Sequence, residues 1–101
     1  MVTESAIEIA MSFLKQLPED MSVKKAYLFG SHAKGNNSDI SDIDVAIVVG
    51  CNRDIFDLQM QMLRLRRNVD LRIEPHPIKE ADFSSLNPFA DEIIRSGIEL
   101  I

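Results

Sequence analysis

The chain has no tryptophan, one tyrosine, one cysteine and no excess of positive charge. Cys51 has no partner for an intramolecular disulfide, which excludes a disulfide scaffold and suits a reducing cytoplasm. Eleven Lys and Arg against 16 Asp and Glu give a formal net charge of −5. That balance argues against sequence-independent nucleic-acid binding, which needs a basic surface to replace counterions. No apolar run approaches the roughly 20 residues that span a bilayer. The N-terminal MVTESAIEIAMSF carries acidic residues and no basic n-region, so neither a membrane span nor a signal peptide is expected. There is no repeat, low-complexity segment or internal linker. What remains is one domain over residues 1–101, large enough for a single core and expected in the cytoplasm.

Hydrophobic periodicity divides this domain into short elements. Residues 4–17 predict an amphipathic helix, with Ala6, Ala10, Phe13, Leu14 and Leu17 on one stripe. Thr3 is placed to cap it and Pro18 to stop it. Lys24–Phe29 predicts a strand, Ser31–Gly35 a tight turn or brief helix, and Asn36–Ser41 a polar loop. Asp42–Val49 becomes continuously apolar, as a strand buried on both faces does. Arg53–Arg67 predicts a helix with two apolar stripes, Ile55, Leu58, Met62, Leu65 and Phe56, Met60, Leu63. The second stripe suits an interface. Arg64, Arg66 and Arg67 near its end favour the helix dipole, or else dock an acidic partner or a nucleotide. Asn68–Glu74 predicts a strand with Asp70, Arg72 and Glu74 on one face, broken by Pro75-His76-Pro77, which leaves His76 in a rigid surface loop. Asn87 as N-cap, Pro88 at the first helical position and Gly97 as terminator outline a last helix before a small edge strand at 98–101. The order describes an α/β or α+β domain with a small sheet covered by helices.

One run stands out: Gly30-Ser31, ten residues, then Asp42-Ile43-Asp44. Alternation along a strand sets Asp42 and Asp44 on the same face, about 6.6 Å apart. Aspartate is depleted from strands, and two like charges so close raise a pKa unless a cation lies between them. Mg²⁺ suits the site, because it takes one or two carboxylates and fills its shell with water and phosphate oxygens. Asp70, on a neighbouring strand, is the candidate third carboxylate, able to reach a metal and to take the proton of an attacking hydroxyl. A glycine after a strand lets backbone N–H groups approach a phosphate closely. The Ser31 hydroxyl adds a donor, and Lys34 can add charge.

Gly30-Ser31-x-Ala33-x-Gly35 followed by Ser41-Asp42-x-Asp44 resembles the signature of the DNA polymerase β-like nucleotidyltransferases, in particular their minimal branch marked by GSx₁₀DxD. Val69-Asp70-Leu71 is similar to the family's third-carboxylate strand, and NPFADEIIRSGIEL to its closing helix and strand. The resemblance implies a nucleotidyltransferase fold with a small mixed sheet, and Mg²⁺-dependent transfer of a nucleotidyl group from a nucleoside triphosphate such as ATP. It implies that Gly30 and Ser31 hold the triphosphate. Asp42 and Asp44 would ligate two Mg²⁺ ions, and Asp70 would ligate one of them and promote the nucleophile. The family often has arginine on either side of Ala33, where this chain has His32 and Lys34. Lys34 keeps a charge, whereas His32 offers no guanidinium fork.

The chain ends within a few residues of the last predicted element, which leaves the acceptor to a partner or a second copy. The minimal branch is commonly paired with a small all-helical HEPN ribonuclease toxin that it modifies with AMP, so a toxin–antitoxin pair is expected. Two alternatives stay open. One is a dimer transferring nucleotide to a small molecule of the aminoglycoside kind; the other is a non-catalytic module that neutralises its partner by contact.

Overall fold

The computed structural model describes residues 2–35 and 41–101. Four α-helices surround a four-stranded mixed sheet: α1 (Val2–Leu14), β1 (Val23–Phe29), α2 (Ser31–Lys34), β2 (Ile43–Val49), α3 (Ile55–Leu65), β3 (Ile73–Lys79), α4 (Pro88–Ser96) and β4 (Ile98–Glu99). The strand order is β3-β2-β1-β4, with β1 antiparallel to β2 and β4, and β2 parallel to β3. Most predicted elements stand, with shifted ends. α1 begins at Val2, so Thr3 lies inside it rather than capping it, and it ends at Leu14, before Pro18. The loop predicted at 36–41 lies outside the described residues except for Ser41.

Alternation sorts the sheet into two faces. Ile43, Val45, Ile47 and Val49 of β2 join Leu28, Ile73, Ala6, Ala10, Phe13, Leu58 and Met62 in one cluster. The inner stripes of α1 and α3 close that face, as their periodicity predicts. The other face holds Tyr27, Ala46 and Ile78 against Ile93 of α4, with Phe29 and Phe83 at its margin. The outer stripe of α3 is open, with Phe56 72 % and Met60 54 % exposed. α3 is shorter than predicted because Asp54 caps it, accepting from the N–H of Phe56 and Asp57, and because its end tightens into a 3₁₀ turn at Arg66–Asn68. α4 is capped as predicted: the Asn87 side chain accepts from the N–H of Phe89 and Ala90, and Pro88 opens the helix.

The largest departure concerns β3. It runs over Ile73–Lys79 and includes Pro75 and Pro77, which were expected to break a strand placed at Asn68–Glu74. β3 is an edge strand, and the Pro75 carbonyl, which points away from β2, takes the Gln59 side-chain amide at 3.3 Å. Pro77, two residues on, faces the same way. Both prolines therefore put the position of their missing N–H at the open edge, the one side of a strand that tolerates it. They also block the edge against further pairing.

Candidate active site

The site forms where β1 ends and where β2 and β3 begin. Phe29 of β1 pairs with Asp44 of β2, and Asp44 pairs with Glu74 of β3, so the three lie in one row across the sheet. Ile43 and Ile73, one residue earlier on their strands, both point into the α1–α3 core, so Asp44 and Glu74 share the opposite face. Asp42 precedes β2 by one residue and is exposed. Neighbouring strands lie about 4.8 Å apart, which brings the Asp44 and Glu74 carboxylates within range of a common ligand.

Gly30 closes the row from above. It sits at φ +78°, a left-handed conformation that side chains resist, and a Cβ there would lie 2.5 Å from Oδ2 of Asp44. The glycine is thus required by the carboxylate as well as by the turn. α2 follows directly, and Gly35 ends it in the left-handed conformation with its N–H on the Ser31 carbonyl. Lys34 at its end is exposed and lies 3.8 Å from Glu92 of α4. His32 is 2 % exposed, and its Nε2 donates to the Ser41 carbonyl at 3.3 Å. The histidine that departs from the family pattern therefore ties the glycine turn to the residue before Asp42, inside the fold.

Asp70 does not lie on a strand. Its carbonyl accepts from Ile73 N–H, and its carboxylate accepts from the N–H of Arg72 at 2.8 Å, forming a turn that feeds β3. The same carboxylate takes a two-point fork from the Arg72 guanidinium, at 3.1 and 2.9 Å. The hydrogen bonds from Arg72 hold its carboxyl below the ordinary value of 3.8, against a smaller opposing effect of burial. The expected mid-strand placement of Asp70 is corrected: β3 starts at Ile73, and Asp70 makes the turn before it. The acidic residue that the fold sets beside Asp44 is Glu74, 3.8 Å from Arg66. Arg66 also donates to the Ile73 carbonyl at 2.8 Å, so one member of the arginine cluster braces the outer edge of β3.

Sequence reasoning missed a second residue. His76, placed in a loop by its flanking prolines, lies on β3, and its Nε2 is 3.1 Å from Oδ1 of Asp44. Its ring meets Phe29 edge-on at 5.1 Å, and Phe89 of α4, 46 % exposed, lies 6.1 Å away. Alternation from Asp70 through Arg72 and Glu74 pointed at this face; continuing the count across Pro75 would have found His76.

Among the described residues no three His, Cys, Asp or Glu side chains already converge on one point. The donor chemistry nonetheless fits a hard divalent cation: carboxylate oxygens from Asp42, Asp44 and Glu74 at one sheet end, with a backbone cradle at Gly30 that any side chain would fill. An open cleft of about 480 Å³ at the far end of β2 is lined by Val49, Cys51, Lys79 and Glu80, but it holds none of the motif. Its lysine is already bound to the Cys51 and Arg53 carbonyls.

The sequence profile described as "Polymerase beta, Nucleotidyltransferase" matches residues 12–101. No curated protein matches the chain significantly. Among solved structures, one assigned as a nucleotidyltransferase from Sulfolobus solfataricus is 22 % identical, with a TM-score of 0.58, over 97 % of this chain and 78 % of the other. A toxin–antitoxin structure with AMP-PNP is 19 % identical, with a TM-score of 0.59, over 94 % of this chain and 72 % of the other. A double Asp→Glu variant of the toxin–antitoxin MntA-HpeT is 17 % identical, with a TM-score of 0.56, over the same 94 % and 72 %. These likenesses bear out the mixed-sheet α+β fold. No helix among the described residues is long and apolar enough to cross a membrane. With the profile covering nearly all of it, the chain belongs to the polymerase beta nucleotidyltransferase family.

Proposed function

We propose that this chain is a Mg²⁺-dependent enzyme that moves AMP from ATP to a protein partner, a small helical toxin of the HEPN kind, and acts as its antitoxin. The observation that carries this reading is the row at the sheet end, where Asp44 and Glu74 share a face beside Asp42 and beneath the positive-φ Gly30. The likeness to toxin–antitoxin structures, one of them with AMP-PNP, supports both the nucleotide and the class of partner.

Asp42, Asp44 and Glu74 would hold two Mg²⁺ ions, with Glu74 in the role first expected of Asp70. Bound Mg²⁺ supplies charge neutralisation for the departing phosphates and acidifies the attacking hydroxyl. The chain's own residues do the rest. The turn at Gly30 and Ser31 seats the triphosphate through backbone N–H groups and the serine hydroxyl, and Lys34 adds positive charge at its margin. The acceptor oxygen bonds to the α-phosphorus as the bond to the bridging oxygen breaks, and pyrophosphate leaves. The hydroxyl proton passes to the Glu74 carboxylate. The exposed outer stripe of α3, Phe56 and Met60, is the surface we assign to the partner.

The test is incubation with [α-³²P]ATP, Mg²⁺ and the protein encoded by the adjacent gene. Label on that protein, lost with Asp44→Asn, is the expected result. Label found only on a small molecule would favour an aminoglycoside-type acceptor, and neutralisation of the partner without any label would make the chain a binding module.

A further inference from the structure

Asp44 is gripped at both oxygens. Oδ1 takes a hydrogen bond from Nε2 of His76 at 3.1 Å, and Oδ2 packs into the space left by the missing side chain of Gly30. With a carboxylate as acceptor, the ring proton sits on Nε2, so the neutral tautomer suffices. His76 is itself fixed: Phe29 meets its ring edge-on, Phe89 closes from α4, and prolines flank it on the strand.

We propose that His76 is a positioning residue for nucleotidyl transfer, holding the Asp44 carboxylate in the orientation from which it takes a divalent cation. This rests on the reading of Asp44 as a metal ligand. The terminal torsion of an aspartate is broad and two-fold, so an unheld carboxylate at the open start of a strand samples many orientations. A hydrogen bond to Oδ1 removes that freedom while occupying only one of its two lone pairs. Groups that orient a metal ligand in this way typically change metal affinity by about 10- to 100-fold when removed. The nitrogen that faces Asp44, Nε2, carries the proton and so cannot donate to a metal; the role assigned to His76 is to orient the carboxylate. Glu74, in register with Asp44 and held by Arg66, does not compete for the same oxygen.

The experiment measures Mn²⁺ affinity from the electron paramagnetic resonance of the free ion, in the presence of a non-hydrolysable ATP analogue. It compares the intact chain with His76→Leu, His76→Gln and Asp44→Asn. Leucine fills the aromatic cage without a donor; glutamine reaches the same place with an amide N–H. Loss of affinity of about 10- to 100-fold in His76→Leu, recovered to within about threefold in His76→Gln, is expected. Unchanged affinity in His76→Leu overturns the proposal, as does equal weakness in both His76 variants, which would assign the effect to ring packing. Unchanged affinity in Asp44→Asn would instead overturn the reading of Asp44 as a ligand, so the two failures are distinct.

Discussion

The two faces of the sheet are made by the same strands and differ in what covers them. On one, Ile43, Val45, Ile47 and Val49 are sealed under α1 and α3. On the other, α4 covers Ala46 and Ile78 but leaves Asp44, Glu74 and His76 at an open end. Alternation at a period of two lets β2 carry a core and a site at once. The division of labour is the useful lesson: the closed face supplies stability, and the open face carries the carboxylates and the glycine that packs against Asp44.

Substitutions should separate the two faces. Asp44→Asn is expected to cost nucleotidyl transfer on the order of a thousandfold, with a thermal midpoint close to that of the unaltered chain. A parallel loss of helical circular dichroism would show that the open face also holds the fold. Leu58→Ala, on the closed face, should do the reverse. It is expected to lower unfolding stability by about 2–5 kcal/mol in denaturant titrations while leaving Mn²⁺ affinity of the folded fraction unchanged.

Gly30→Ala touches both properties. It forces a side chain into a left-handed conformation and against Asp44, so a stability loss of about 1–3 kcal/mol together with weaker Mn²⁺ binding is expected. Stability loss alone would mean that Asp44 moves aside without consequence.

The smallest effect belongs to Asp70→Asn. The native carboxyl of Asp70 lies below its unfolded value because Arg72 bonds to it. Its contribution is therefore complete above about pH 4 and is lost as pH falls through the lowered native value. In Asp70→Asn the acid limb of the stability–pH profile should flatten slightly, with neutral-pH activity retained. The pair is partly solvated, so the shift is small.

Much of this was legible beforehand. The inner stripes of α1 and α3, the cap of α4 and the brief helix after Gly30 each followed from local chemistry that the tertiary structure keeps. β3 was not legible, for two reasons. Pro75 and Pro77 break an interior strand but fit an edge one, and only the sheet order tells which edge is free. Asp70 beside Val69 and Leu71 looks like a strand residue until Arg72 is seen to fold back onto it. Starting the strand at Ile73 moves the acidic position to Glu74 and turns His76 from a loop residue into a neighbour of Asp44.

The most direct test of this account sets Glu74→Gln beside Asp70→Asn in the same Mn²⁺ titration with a non-hydrolysable ATP analogue, which needs no knowledge of the acceptor. The site as built on the open face predicts that Glu74→Gln weakens Mn²⁺ binding by at least about tenfold, whereas Asp70→Asn leaves it unchanged. The opposite pattern, with Asp70→Asn weakened and Glu74→Gln intact, would contradict it.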